Sequence, residues 1–234
     1  MGKDGDCPLS SVEPKKLYQQ IADQIRTMIQ DETFPVGARL PSERELAQQL
    51  GVSRPSLREG LIALELQGLV EIKVGSGVYV LAERSATPPA VPYMGDSPSE
   101  LMKARAVLEG SVAALAAGQF SDEALGKLND IIGEMESAIS QGTNPLEHDR
   151  RFHLMIASQC GNSVLERIVA SLFDERHSPM SERLQDRFGS PETWIMALQE
   201  HKMIYNALSR KDIVLAEASM RVHLEASRLR WTES

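Results

Sequence analysis

Between Leu50 and Arg54 the chain must end one helix and begin another within the three residues Gly51-Val52-Ser53. Gly51 suits the left-handed residue that closes a helix, and the Ser53 hydroxyl is placed to cap the next one. Few folds join two helices so tightly. Upstream, Ser42 and Glu45 form the capping box that opens the first of the pair, which carries Leu46, Ala47 and Leu50. Downstream, Pro55 falls in the first turn of the second, where its missing N–H costs nothing. Its predicted buried stripe is Leu57, Leu61, Leu64 and Leu66, closed by Gly68. An earlier helix is predicted from Leu17, Ile21, Ile25 and Ile29, with Ala22 and Met28 on the same side, broken at Phe34-Pro35-Val36-Gly37. After Gly68, Val70 to Val74 and Val78 to Val80 alternate around Gly75-Ser76-Gly77, the pattern of a hairpin. Three helices, a tight turn and a hairpin predict a winged helix-turn-helix over residues 13–81.

A fold of this kind places the start of its third helix in the DNA major groove. The net charge of −8, from 25 Lys and Arg against 33 Asp and Glu, opposes nucleic-acid binding in general terms. What decides is the local distribution. Arg39, Arg44, Arg54 and Arg58 gather around the second and third helices, with Arg54 and Arg58 one turn apart on one face. An arginine there can take guanine O6 and N7 in a bidentate contact. Ser53, Ser56, Lys73 and the wing around Gly75, Ser76 and Gly77 are candidate phosphate contacts. The competing reading is a solvated basic face on an ordinary helical domain.

Residues 1–12 are polar and aperiodic and read as a flexible tail without the apolar core of a signal peptide. Residues 82–98 hold Pro88, Pro89, Pro92, Pro98 and Gly95 and read as a linker. Residues 99–234 read as an antiparallel all-α bundle, so the fold class is mainly α. Its stripes are Leu101, Ala104, Leu108, Val112 and Leu115; Leu125, Leu128, Ile132, Met135 and Ile139; Phe152 and Ile156; Val164, Leu165, Ile168 and Leu172; Ile195, Leu198, Tyr205 and Leu208; and Leu215, Ala216, Met220 and Leu224. Five or six helices are predicted, with an irregular polar stretch before Ile195. No apolar run approaches the roughly 20 residues that span a bilayer, and Cys7 and Cys160 form no disulfide framework. The expectation is a cytoplasmic protein with no membrane partner.

Three histidines sit on faces otherwise apolar: His153, His201 and His223, with Asp149 one turn before His153. Such groups inside a bundle are expensive unless paired, and bundle interiors are where facing helices build metal sites. One Asp and three His suit a borderline divalent ion, zinc or nickel above all. Each histidine taken singly is more often a satisfied core residue. His148 and His177 lie off these faces and read as solvated.

The segments Lys16-Leu17-Tyr18-Gln19-Gln20-Ile21-Ala22, Gly37 to Ala47 and Gly51 to Glu59 resemble the N-terminal signature of GntR-type regulators. The resemblance implies that Arg44, Arg54, Arg58 and the wing contact double-stranded operator DNA, and that the protein is a homodimer, usually a repressor released by a metabolite. The segments Asp149-Arg150-Arg151-Phe152-His153, Glu200-His201 and Met220-Arg221-Val222-His223-Leu224, with Arg105-Ala106-Val107-Leu108-Glu109, resemble the FCD effector domain of FadR-type members. That implies a divalent ion on Asp149, His153, His201 and His223, and a small carboxylate effector, a sugar acid or hydroxy acid. Arg105 is then the candidate for neutralising the carboxylate, against a surface ion pair with Glu109. Asn162 either lines the ligand pocket or caps the next helix. Two other functions stay open: a regulator for which the ion itself is the signal, and a metalloenzyme, for which no general base stands out.

Overall fold

The computed structural model describes residues 15–81 and 94–232. The tail, Cys7 and residues 82–93 of the predicted linker lie outside them.

The N-terminal helices are α1 (Leu17–Gln30), α2 (Glu43–Leu50) and α3 (Arg54–Leu66), followed by strands β1 (Val70–Lys73) and β2 (Gly77–Val80). The caps fall where the sequence places them. Ser42 Oγ accepts from Glu45 N while Glu45 Oε2 accepts from Ser42 N, Gly51 is left-handed at φ 67°, and Ser53 Oγ accepts from Ser56 N. β1 and β2 pair antiparallel, from Val70 with Val80 to Lys73 with Gly77. A segment not anticipated adds to the edge of this hairpin. Leu40 N donates to Val78 O, Val80 N donates to Ala38 O, and Arg39 bridges Tyr79.

Two expected core positions are wrong: Leu17 and Leu66 are exposed. Tyr18 is buried instead, its hydroxyl donating to Gly95 O at 3.0 Å. The central turns of α3 are buried all round, because α1 covers one side and the C-terminal half covers another.

That half comprises α4 (Pro98–Ala117), α5 (Asp122–Ser140), α6 (Leu146–Ser158), α7 (Ser163–Asp174), a 3₁₀ turn (Glu175–His177), α8 (Pro179–Phe188), α9 (Pro191–Ser209) and α10 (Ile213–Thr232). α4 lies along α10, α10 also packs on α9, and α5 and α6 close the bundle. α4 and α10 approach closely because Gly110 has no side chain: a Cβ there would lie 2.6 Å from Arg221 Cγ. The core holds Met102, Val112, Phe120, Leu128, Ile132, Phe152, Ile156, Leu208 and Leu224.

Several bundle expectations need correction. Ala104 and Leu115 are exposed, because α4 buries the face of Met102, Arg105, Glu109, Val112 and Ala116. α7 is rotated part-way from its predicted stripe: Leu165 and Leu172 are half-buried, but Val164 and Ile168 face out, and Val169 and Phe173 are buried. Ile195 and Leu215 are exposed near the starts of α9 and α10. Pro98 is no linker residue but the first residue of α4, capped by Ser97. The irregular polar stretch contains α8, opened by the Ser178 cap and Pro179.

α8 leaves the bundle and enters the core of the N-terminal domain through Met180 and Leu184. A second joint lies on α3, where the buried Glu59 carboxylate accepts from Ser97 Oγ at 2.8 Å and Ser99 N at 2.9 Å, at the start of α4. Burial raises the Glu59 pKa despite those hydrogen bonds. A raised folded-state pKa gives stability that is fully present below the ordinary carboxylate range and lost as pH rises through the folded value. Glu59→Gln keeps the shape and removes the charge. It should therefore raise Tm at neutral pH, and the gain should vanish in acid. A lower Tm at neutral pH would show that the carboxylate's charge is needed at this joint.

Candidate metal centre

Asp149 and His153 project from one face of α6, His201 from α9 and His223 from α10. The three histidines are 1%, 1% and 3% exposed. One potential ligand atom from each of the four residues lies within 4.8 Å of the others. Ring centroids are 5.6 Å apart for His153 and His201, 5.4 Å for His153 and His223, and 4.4 Å for His201 and His223.

Outer partners set the direction of each group. His153 Nδ1 is 2.5 Å from Glu109 Oε2, and Arg105 Nε donates to Glu109 Oε1 at 2.6 Å. His223 Nδ1 is 2.7 Å from Glu200 Oε2, and Glu200 is gripped by both terminal nitrogens of Arg230 at 2.7 and 2.9 Å. Arg176 Nη1 donates to Asp149 Oδ2 at 2.7 Å. The imidazole Nε2 atoms of His153 and His223, and Asp149 Oδ1, are thus left for the centre. A carboxylate behind a histidine is the usual means of fixing its tautomer for a metal.

The centre is not satisfied by protein alone. Among the described residues, His153 Nε2 and both ring nitrogens of His201 are buried without a hydrogen bond. His201 Nε2 does lie 3.1 Å from Asp149 Oδ1, but the contact lacks hydrogen-bond direction. An unsatisfied buried polar atom costs about 1–3 kcal/mol. A divalent cation between one carboxylate and three imidazoles would satisfy these atoms, and the donor set fits zinc or nickel.

The protonation pattern agrees. Burial holds His201 below its ordinary pKa, and burial with the neighbouring His201 takes His223 down to about 3, so both are neutral at pH 7, the form in which an imidazole can bind a metal. Burial alone would raise Asp149, but His153, His201 and Arg176 outweigh it and hold the carboxyl well below its usual range. Glu109, against its burial, is held at about 2 by Arg105 and His153, and Glu200 at about 2 by His223 and Arg230. Glu109 and Asp149 in turn raise His153 against its own burial, so a cation at this nitrogen would compete with a proton.

A cavity of about 510 Å³ opens over Asp149, His201 and His223, a volume suited to a small ligand. Arg176, Arg230, Trp194, Gln185, Thr193 and Ser227 are on its wall. His177 stands exposed at the same cavity, while His148 lies away from it beside Glu134. Neither of the proposed ligand residues is there. Arg105 is fully buried and behind His153, so its pair with Glu109 is real but is no surface pair. Asn162 caps α7, its Oδ1 accepting from Val164 N and Leu165 N. The sequence reading missed Arg176 and Arg230 and the outer roles of Glu109 and Glu200.

On the other domain, Arg39, Arg44, Ser53, Arg54, Lys73, Gly75 and Ser76 are exposed and Ser56 and Gly77 half-buried. Arg39 crosses the wing so closely that a Cβ on Gly77, at φ 123°, would meet Arg39 Nε at 2.6 Å. Arg58 differs from the others: it is 6% exposed and bonded to Glu43.

Residues 17–80 match the family described as bacterial regulatory proteins, gntR family, and residues 100–226 match the FCD domain. The chain is 33% identical over 224 residues to the Exu regulon transcriptional regulator of Escherichia coli K12, covering 93% of this chain and 85% of that one. It is 34% identical over 231 residues to the Uxu operon transcriptional regulator of the same strain, covering 96% and 90%. The solved structure of E. coli McbR/YncC shares the fold, with a TM-score of 0.51 at 19% identity over 92% of this chain and 96% of that one. No described helix is long and apolar enough to cross a membrane. The relatives are regulators and not enzymes, and DNA is the partner their work requires. The chain is a transcription regulator of the gntR family whose C-terminal half carries an FCD domain.

Proposed function

We propose that this regulator is a homodimeric repressor released from its operator by a sugar acid, which binds in the cavity above a divalent ion held by Asp149, His153, His201 and His223. The observation that carries the reading is the convergence of four ligand atoms, one from each residue, at the floor of a cavity, with His153 Nε2 and both His201 ring nitrogens buried without a hydrogen bond. A bound zinc or nickel ion would supply a Lewis-acidic anchor for the effector's carboxylate. The chain supplies the rest. Arg176 and Arg230 add positive potential near that end, Trp194 offers an aromatic wall, and Gln185, Thr193 and Ser227 offer hydrogen bonds to hydroxyls. That wall suits a polyhydroxylated acid better than a fatty one. The likeness to regulators named for the Exu regulon and the Uxu operon supports the same class.

The test uses a DNA duplex selected from a random pool by the unaltered protein. With zinc-loaded protein, D-glucuronate or D-galacturonate should release the duplex, and the neutral hexoses should not. Release by zinc alone would make the ion the signal and overturn the reading, as would catalytic turnover of the acid. On the DNA side, Arg54→Ala should cost about 1–3 kcal/mol of discrimination between the selected duplex and random DNA, with metal uptake unchanged. Equal discrimination would remove Arg54 from base reading.

A further inference from the structure

α8 touches both functional regions at once. Glu182, Gln185 and Asp186 are on the wall of the effector cavity. Its other side is fastened to the DNA-binding domain. Met180 and Leu184 are 0% and 3% exposed within that domain's core. Arg183 Nε donates to Glu65 Oε2 at 3.0 Å, and Arg187 Nη2 reaches both oxygens of Glu65 at 3.0 Å. Glu65 is on α3, the helix that carries Arg54 and Arg58. At the end of α8, the Phe188 ring lies 4.9 Å from Arg58 Cζ. Glu43 takes the same guanidinium from another side, at 2.8 Å from Nη2 and 3.1 Å from Nε.

A guanidinium reads guanine through a free edge that lies in the base plane. Arg58 presents no such edge here. Its side chain is 7% exposed, closed in by Phe188 and neutralised by Glu43, while Arg54 one turn earlier is open to solvent. The docked α8 thus withholds one of the two arginines on the reading face. The cavity would come apart if α8 moved, because its remaining walls belong to other helices, Trp194 on α9 and Ser227 on α10 among them. A ligand that touches both α8 and those helices binds the docked arrangement more tightly, and it shifts the population by that difference and no more.

We propose that α8 is a two-sided latch: docked, it sequesters Arg58 and lowers operator affinity, and an effector in the cavity favours the docked state. The proposal rests on the reading of Arg58 and of the cavity given above. Release from DNA on effector binding follows from it in direction, since the docked form is both the better ligand binder and the poorer DNA reader.

Phe188→Ala removes the cover from Arg58, and Glu65→Gln loosens the arginine clasp from the other domain. With zinc-loaded protein and the selected duplex, each should bind several-fold more tightly than the unaltered protein and lose part of the release by D-glucuronate. Unchanged or weaker binding with full release in both variants would overturn the latch. Hydrogen exchange of the unaltered protein gives a second reading that needs no variant. Residues 179–188 should exchange faster in the duplex complex than in free protein, and slower with D-glucuronate. Equal protection of α8 in all three states would overturn it as well. Failure of the underlying reading looks different: the unaltered protein would then select no duplex, or would hold it regardless of the acid.

Discussion

Replacing Glu109 with alanine should cost about 3–5 kcal/mol of folding stability, the range for breaking a buried ion pair from one side. Glu109 is 2% exposed and Arg105 fully buried, with N–O separation 2.6 Å. The guanidinium cannot shed its charge. Beyond Glu109 it has the Phe173 ring at 4.5 Å and a weak contact to Met102 Sδ at 3.7 Å, and Nη2 already lacks a hydrogen bond. Alanine would strand that charge in the bundle and leave His153 Nδ1 without its acceptor. Glu109→Gln keeps one acceptor and should cost less. It should still weaken metal binding by about 10–100-fold, the usual effect of removing a carboxylate behind a ligating histidine. Pairing Arg105→Met with Glu109→Leu removes both charges and should restore most of the stability without restoring metal affinity. Denaturant unfolding in chelator and metal titration read the two quantities separately. A Glu109→Ala protein as stable as the original would sink this account of the buried pair.

The contrast with Glu59 is instructive. Both are glutamates buried on helices, yet Glu59 faces two neutral donors and its pKa rises, while Glu109 faces a guanidinium and an imidazole and its pKa falls to about 2. Residue type and spacing are the same kind of information for both. Only the neighbours decide whether the carboxylate is a mild liability at neutral pH or the charge that holds a helix pair together.

What the sequence made legible is whatever is written within one turn of chain. The caps at Ser42, Gly51 and Ser53 use partners three or four residues away, so they can be read directly, and they suffice for the helix-turn-helix. Asp149 and His153 are legible as a pair for the same reason. The outer partners are not, because Glu200 reaches His223 across 23 residues and Arg176 reaches Asp149 across 27. Arg105 shows the failure in miniature: its i+4 partner was visible, but not that both residues would be sealed behind His153. α7 misleads because it is apolar on two sides, and the neighbouring helices choose Val169 and Phe173 over Val164 and Ile168. α8 is hidden in the sequence by its polarity, although Met180, Leu184 and Phe188 recur at four-residue spacing. Their apolar partner is the other domain, so no stripe-to-stripe match within the bundle points to them.

His201→Leu should separate metal binding from folding more sharply than any other change. His201 is 1% exposed, packs on Phe152 at 4.5 Å between ring centroids, and keeps both ring nitrogens without hydrogen bonds. In chelator, leucine removes two unsatisfied buried atoms and fills a similar volume, and an apolar replacement of that kind is close to neutral or stabilising. Asp149 retains Arg176, so no buried charge is stranded. In metal the comparison reverses. A ligand at about 1,000 times its Kd stabilises the fold that binds it by about 4 kcal/mol. The original protein should gain on that scale with zinc or nickel, whereas a protein with three of the four ligands should gain little at the same metal concentration. The two melting curves should therefore cross: the variant equal or higher in chelator, the original clearly higher in metal. A variant that melts early in chelator and still takes the full metal-induced shift would make His201 an ordinary structural histidine. The same crossing would exclude the opposite explanation, a general loosening of the bundle, because loosening lowers both curves together.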